Sequence, residues 1–300
     1  MNKTLCIIFL LTLTSAGLFS QQDGGDSTLA IETGYINLDE GKLFYEITGK
    51  GKYIVLIHDG LIHHEVWDGQ FLEFAKKYRV VRYDRRGYGK SPDPYTLFSD
   101  IEDLKQLFVQ LKIDNAILIG MSSGGGLAID FTLKYPQNVS TLILSGAVVG
   151  GYSYSSHMMT RGGRVDSLEA LLSDPQKVIQ YFGWEDPYQV YPENIIAKKK
   201  CLELLKAFPN NVSFEKFNFM KPADRPAIKY LSEINVPTLI LVGEYDIPDV
   251  HAHSGVIDAE IKNSKREIIS NSGHLIPLEQ PAVFNAAVMN FLERINNYKN

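Results

Sequence analysis

Cysteine is nearly absent: the 300 residues hold two, Cys6 and Cys201. Positive charge has no surplus either, since 30 Lys+Arg stand against 35 Asp+Glu for a net charge of −5, and no basic stripe gathers along the chain. That balance argues against a grip on nucleic-acid phosphates and leaves small molecules as the expected partners. Internal repeats and low-complexity tracts are missing as well. With 45% hydrophobic and 22% charged residues, the composition excludes a disordered chain, a collagen-like one and a polytopic membrane protein. A chain of this length suits one core carrying an insertion.

One stretch lacks charge altogether. Between Lys3 and Asp23 there is none, and the mostly apolar run from Leu5 to Leu13 is followed by Ser15, Ala16, Gly17 and Ser20. This reads as a signal peptide over residues 1–21, with the mature chain starting near Gln21 or Gln22. The alternatives are an uncleaved membrane anchor and a buried helix. Export to the periplasm or the medium is expected, with no stable membrane insertion after cleavage. Cleavage would leave Cys201 as the only cysteine, so no intramolecular disulfide could form.

What is present begins with two β-like runs, Tyr35 to Leu38 and Leu43 to Ile47, flanking Asp39, Glu40 and Gly41, which predicts an opening hairpin. Short apolar runs follow at Ile54 to Ile57, Val80 to Tyr83, Ala116 to Ile119, Val139 to Leu144 and Thr238 to Val242. Such runs suit strands buried on both faces of a parallel sheet. Between them Leu97, Ile101, Leu104, Leu107, Phe108 and Leu111 recur at helical spacing, with Ser99 and Glu102 placed as a capping box. A second stripe, Phe284 to Ile295, follows Pro281 and predicts a terminal helix packed on the sheet.

The alternation of strand and helix stops after Leu144 and resumes near Pro237, so the stretch between is read as a helical lid inserted after the sixth strand. The expected organisation is an α/β fold: a mostly parallel β-sheet with an N-terminal antiparallel hairpin and helices on both faces. Residues 22–149 and 234–300 form its core, and 150–233 form the lid. The lid is rich in aromatics: Tyr152, Tyr154, Tyr181, Phe182, Trp184, Tyr188, Tyr191, Phe208, Phe214, Phe217 and Phe219. Most should form the lid's own core, with roughly one in four lining a pocket. Lys198, Lys199 and Lys200 read as a solvated helix face.

Chemistry concentrates after the fifth strand. Ile117 to Ile119 runs into Gly120-Met121-Ser122-Ser123-Gly124, a G-x-S-x-G pattern, with a helical segment from Gly125 to Lys134 behind it. A serine on so sharp a turn is strained and exposed, and larger side chains at 120 and 124 would collide. Gly124, Gly125 and Gly126 would each cost about 0.5–1 kcal/mol against alanine inside a helix, so the first turn should approach other backbone closely.

A serine hydroxyl needs a base, and the base needs an orienting acid. Of seven histidines, His274 sits in a turn-like segment, Asn271-Ser272-Gly273-His274, between a strand-like run and the last helix. Asp246 lies just beyond the strand ending at Val242, at the sheet edge where catalysis collects, with Glu244 and Asp249 as alternatives. The Ser123 N–H at the helix start and the Gly60 N–H after the strand at Tyr53 to Ile57 are the candidate oxyanion donors. His58 is read as a buried, hydrogen-bonded histidine, and His63 and His64 as loop surface. Asp249, His251 and His253 are read as a chance grouping rather than a zinc site. No metal and no cofactor are expected, and Cys201, on an apparent helix, is given no role.

Together these motifs resemble the α/β-hydrolase superfamily, in its subgroup of lidded serine esterases, lactonases and cofactor-free haloperoxidases. The resemblance rests on His58-Asp59-Gly60 with Trp67 downstream, on Tyr83-Asp84-Arg85-Arg86-Gly87-Tyr88-Gly89-Lys90-Ser91, on Ser122, on Asp246 and on Gly273-His274. It spans nearly the whole mature chain, in the family's order of nucleophile, acid and histidine. It implies structural roles for Asp84 and Arg86. Asp59 departs from the family's usual glycine and sets a carboxylate beside the oxyanion hole. Serine at the elbow argues against epoxide hydrolase or dehalogenase chemistry, whose nucleophile is a carboxylate.

The expected function is an exported serine hydrolase acting through an acyl-enzyme on a carboxylic ester or lactone of a small, partly apolar substrate. The alternatives are a ligand-binding or receptor-like protein with little turnover, and a haloperoxidase- or aminopeptidase-type relative. The sequence is silent on oligomeric state.

Overall fold

The computed structural model describes residues 29–213 and 215–297. The expected signal peptide, Cys6 and Phe214 lie outside the described residues.

Eight strands form one sheet: β1 (Glu32–Leu38), β2 (Gly41–Gly49), β3 (Tyr53–Ile57), β4 (Arg79–Tyr83), β5 (Ala116–Met121), β6 (Val139–Ser145), β7 (Thr238–Gly243) and β8 (Ser264–Ile269). Their spatial order is β1-β2-β4-β3-β5-β6-β7-β8. The β1–β2 and β2–β4 pairs are antiparallel and every pair from β4 to β8 is parallel, as the apolar runs predict. Alternation within each run sorts side chains to two cores. Ile54, Leu56, Ile117, Ile119 and Ile143 join Trp67, Phe71, Phe74 and Phe284 on one face. Val55, Ile57, Leu118, Leu142 and Leu144 join Leu104, Phe108 and Phe131 on the other.

Helices α1 (Asp68–Ala75), α2 (Asp100–Gln110) and α3 (Ser123–Lys134) connect β3, β4, β5 and β6 in turn. Ser99 caps helix α2, its Oγ accepting from the Glu102 N–H at 3.4 Å, but the predicted capping box is not completed: the Glu102 carboxylate turns away to accept from Tyr135 Oη at 2.9 Å and to pair with Lys134. Leu97 falls before the helix and is exposed, because the cap turns the chain away from the core. Between β6 and β7 the chain carries α4 (Ser156–Met159), α5 (Leu168–Leu172), α6 (Pro175–Gln180), a π-helical turn (Tyr181–Glu185) and α7 (Ile195–Ala207). Then come α8 (Pro248–Glu260), α9 (Ile276–Glu279) and α10 (Pro281–Asn297).

Topology places the site. From β3 the chain steps to β4 on one side and then crosses to β5 on the other, so the connections leaving β3 and β5 part in opposite directions. A crevice opens beyond the carboxyl ends of strands at such a switch point. Gly60 and Ser122 follow those two strand ends.

Candidate active site

Ser122 stands between β5 and α3 with φ 54° and ψ −120°, a strained conformation for a residue with a side chain. Backbone bonds on both sides hold it. Its N–H donates to Ser145 O at 2.9 Å, and its carbonyl accepts from Gly126 N at 3.1 Å and Val148 N at 3.3 Å. The glycines around it answer to close approach. A Cβ on Gly120 would lie 2.5 Å from Gly124 O, and one on Gly124 would lie 2.6 Å from Ile57 O and closer still to His58 O. Gly124 is therefore required because α3 presses on the end of β3, a contact between segments distant in sequence.

His274 follows β8 and Asp246 follows β7. His274 Nδ1 lies 2.9 Å from Asp246 Oδ2 and 3.1 Å from Oδ1, while Oδ1 also accepts from the Ile247 N–H at 2.8 Å. Burial pulls the His274 pKa down, but the adjoining Asp246 carboxylate outweighs it and leaves the imidazole above its ordinary value. The competing acids are engaged elsewhere: Glu244 Oε2 accepts from Asn271 N at 3.1 Å, and Asp249 holds the Ser155 N–H and hydroxyl at 2.6 and 2.8 Å. Gly146, which sequence reasoning passed over, makes room for the pair. A Cβ there would sit 3.0 Å from His274 Nδ1 and 3.2 Å from Asp246 Oδ2.

The inserted segment grips the histidine loop. The His274 N–H is shared between Tyr188 O at 2.9 Å and Gln189 O at 3.1 Å. Glu279 bridges the two segments, its Oε1 accepting from Gly273 N at 2.9 Å and its Oε2 from Tyr191 N at 2.6 Å. Burial pushes that carboxyl up to about 7.

On the opposite rim, Ser123 is the first residue of α3, so its N–H has no intrahelical acceptor. The Gly60 N–H is likewise without an acceptor among the described residues. Asp59 is 2% exposed and folds its carboxylate onto its own loop, with Oδ1 accepting from Leu61 N at 3.2 Å and Ile62 N at 2.7 Å. Burial raises its pKa. His58 is buried and hydrogen-bonded at both ring nitrogens, as expected.

These groups meet in one cavity of about 220 Å³, lined by Gly60, Ser122, Ser123, Asp246 and His274 on the core side. Ser122 is half-buried beneath the inserted segment rather than projecting freely into solvent. The structure contains no hydrogen bond between Ser122 and His274; they share the cavity wall, and such contacts are often long before substrate binds. Of the aromatics in the insertion, Tyr154, Phe182 and Phe217 line the cavity, with Met158, Leu168 and Leu172. Among the described residues Arg161 is the one cation that the insertion adds to the lining, and it is ion-paired with buried Asp186.

Other expectations part from the site. His63 and His64 are not loop surface but fully buried. His64 is held through its N–H and Nδ1, both 2.8 Å from Asp84 Oδ1, and His63 packs on the Phe208 ring. Their burial depends on Phe208 and Asp84 arriving from elsewhere in the chain, which local sequence does not display. Asp84 also accepts from Lys90 N, and Arg86 forks onto Asp103 at 2.8 Å, so both brace the loop after β4. Asp249, His251 and His253 point to separate partners: His253 Nδ1 accepts from Val149 N at 3.0 Å, and His251 Nδ1 faces Arg266. Among the described residues no group of three or more ligating side chains could hold a metal ion. Lys200 faces Asp68, Lys198 lies over Trp184, and Cys201 is buried. No helix among the described residues is long and apolar enough to cross a membrane.

Comparison with known proteins agrees with this architecture. The chain is 29% identical over 275 residues to the AB hydrolase superfamily protein YisY of Bacillus subtilis, covering 86% of this chain and 98% of the relative. It is 29% identical over 294 residues to a 2-hydroxy-6-oxononadienedioate/2-hydroxy-6-oxononatrienedioate hydrolase of Paraburkholderia phymatum, covering 88% and 97%. Among solved structures, a bromoperoxidase from Bacillus anthracis superposes with TM-score 0.71 at 26% identity, covering 88% of this chain and all of that one. An esterase from Exiguobacterium antarcticum gives 0.70 at 25%, covering 86% and 98%. The model of the alpha/beta hydrolase family matches residues 54–287, from β3 into α10, and the chain belongs to that family.

Proposed function

We propose that the protein is a serine hydrolase that cleaves a carboxylic ester or lactone of a small, partly apolar substrate through an acyl-enzyme. The observation that carries this reading is the strained Ser122 backbone at the rim of a cavity that also holds the hydrogen-bonded His274–Asp246 pair. Ser122 Oγ attacks the acyl carbonyl while His274 Nε2 takes its proton. Asp246 keeps the remaining imidazole hydrogen on Nδ1 and stabilises the imidazolium. The Gly60 and Ser123 N–H groups receive the oxyanion. Protonation of the leaving alcohol by His274 frees it, and water activated by the same imidazole releases the acid. The inserted segment acts as the lid, and the hydrolase and esterase names of relatives support hydrolytic chemistry. Export rests on the charge-free N-terminal stretch, as a further part of the same proposal.

The test uses short aryl esters and a serine-directed phosphonate. Ser122→Ala should lose phosphonate labelling and all but a residual activity, a drop of several powers of ten. Hydrolysis by the variant equal to that of the native protein refutes the mechanism. Tight ligand retention without turnover by the native protein indicates a binding protein instead.

A further inference from the structure

Arg85 takes no part in the scheme above, yet it lies 4% exposed beneath the cavity. Its Nη1 donates to Ser123 Oγ at 2.9 Å and to the Asp59 carbonyl at 3.3 Å, and its Nη2 pairs with Asp100 Oδ2 at 2.7 Å. The Asp59 carbonyl and the Gly60 N–H belong to one planar peptide unit. In a trans peptide the C=O and N–H vectors point in opposite directions, so whatever holds the oxygen also aims the hydrogen. No cis peptide is present among the described residues.

Two donors hold that oxygen. One is Arg85 Nη1; the other is His58 Nδ1, at 2.7 Å. The His58 tautomer is settled by Arg85 itself, whose backbone N–H donates to His58 Nε2 at 2.9 Å and leaves the ring hydrogen on Nδ1. Burial, then the neighbouring Arg85 charge, hold the His58 pKa well below its ordinary value, so the ring stays neutral and the pattern holds through the physiological range. A guanidinium on the carbonyl also withdraws electron density from the peptide and makes its N–H a stronger donor, since charge-assisted bonds are roughly twice as strong as neutral ones. The same nitrogen anchors the side chain of Ser123, the residue that supplies the second donor.

We infer that Arg85 is a positioning residue for the oxyanion hole: its guanidinium orients and polarises the Asp59–Gly60 peptide and ties it to Ser123, so that both N–H groups converge on one point. This rests on the proposed roles of Ser122, Gly60 and Ser123. It also bears on the carboxylate at Asp59: Asp100 balances the guanidinium on its far side, while the Nη1 hydrogens present the positive end of that pair to the Asp59–Gly60 peptide.

The experiment compares Arg85→Met and Ser123→Ala with the native protein for aryl-ester kcat and KM, affinity for an arylboronic acid that forms a tetrahedral serine adduct, and Tm. Direct removal of an oxyanion donor costs about 10²–10³ in kcat. Loss of its support in Arg85→Met should cost about 10–100-fold in kcat with little change in KM, and should weaken boronate affinity in parallel. Ser123→Ala keeps the backbone N–H and removes only the tie, so a several-fold loss in kcat with unchanged Tm is expected. It carries the test if Arg85→Met does not fold. Native kcat and boronate affinity in Ser123→Ala, or a lowered Tm with unchanged kcat in Arg85→Met, overturns the inference. Failure of the underlying reading shows separately, as undiminished hydrolysis by Ser122→Ala.

Discussion

Replacing Asp246 by asparagine tests the orientation of His274 at the level of single hydrogens. In the native site Oδ1 accepts from the Ile247 N–H at 2.8 Å and Oδ2 faces His274 Nδ1 at 2.9 Å. An asparagine that keeps its carbonyl on Ile247 must present its NH₂ to Nδ1. Nδ1 then becomes an acceptor, the ring hydrogen moves to Nε2, and the nitrogen that should take the Ser122 proton already carries one. The expected loss in kcat is about 10³–10⁴-fold, or ~4–5.5 kcal/mol, because the geometry survives while the tautomer is wrong. A second signature accompanies it. Native activity should fall as pH drops through a His274 pKa held above the ordinary 6.5 by Asp246, since only neutral imidazole acts as base. Without the carboxylate, burial dominates and the acid limb moves to lower pH. The assay is kcat/KM for an aryl ester across the acid and neutral range, with Glu244→Gln as a control that should keep the native limb. If Asp246→Asn retained activity within tenfold of native and its acid limb stayed in place, the assignment of Asp246 as orienting acid would be wrong.

Gly124→Ala should destabilise the fold by about 1–3 kcal/mol and cut activity with it, measured by denaturant titration, because the new methyl would overlap the Ile57 and His58 carbonyls. Glu279 makes a prediction about stability and pH. Its carboxyl, ordinarily near 4.5, rises to about 7 in the fold, so the folded state binds the proton more tightly and stability should decline as pH rises from about 4.5 to about 7. That slope, at most ~3 kcal/mol in total, should vanish in Glu279→Gln when unfolding is followed across this range. Phe182→Ala enlarges a cavity of about 220 Å³ and should shift preference toward longer acyl chains, by ~10-fold in the ratio of kcat/KM for long against short aryl esters.

Where a residue's surroundings come from its own segment, its environment was readable from the sequence. The doubly buried runs of β3, β5, β6 and β7, the Ser99 cap and the glycine-flanked turn at Ser122 all state their conformation within a few residues. Asp246 and His274 were legible as loop residues after strands, since a parallel sheet sends every such loop to one edge. The burial of His63 and His64 is not legible locally, because Asp84 and Phe208 reach them from distant parts of the chain. Nothing in its own segment marks Arg85, whose worth lies in reaching Asp59 and Ser123 at once.

The order of apolar runs and turn residues therefore determined the sheet, its connections and which three side chains stand at its carboxyl edge, because backbone conformation and burial pattern are local properties of the chain. Only the tertiary structure decided what those side chains face. The grip of Tyr188 and Gln189 on His274, the room left by Gly146, the bridge made by Glu279 and the reach of Arg85 are contacts between segments whose separation along the chain carries no signal of their nearness in space.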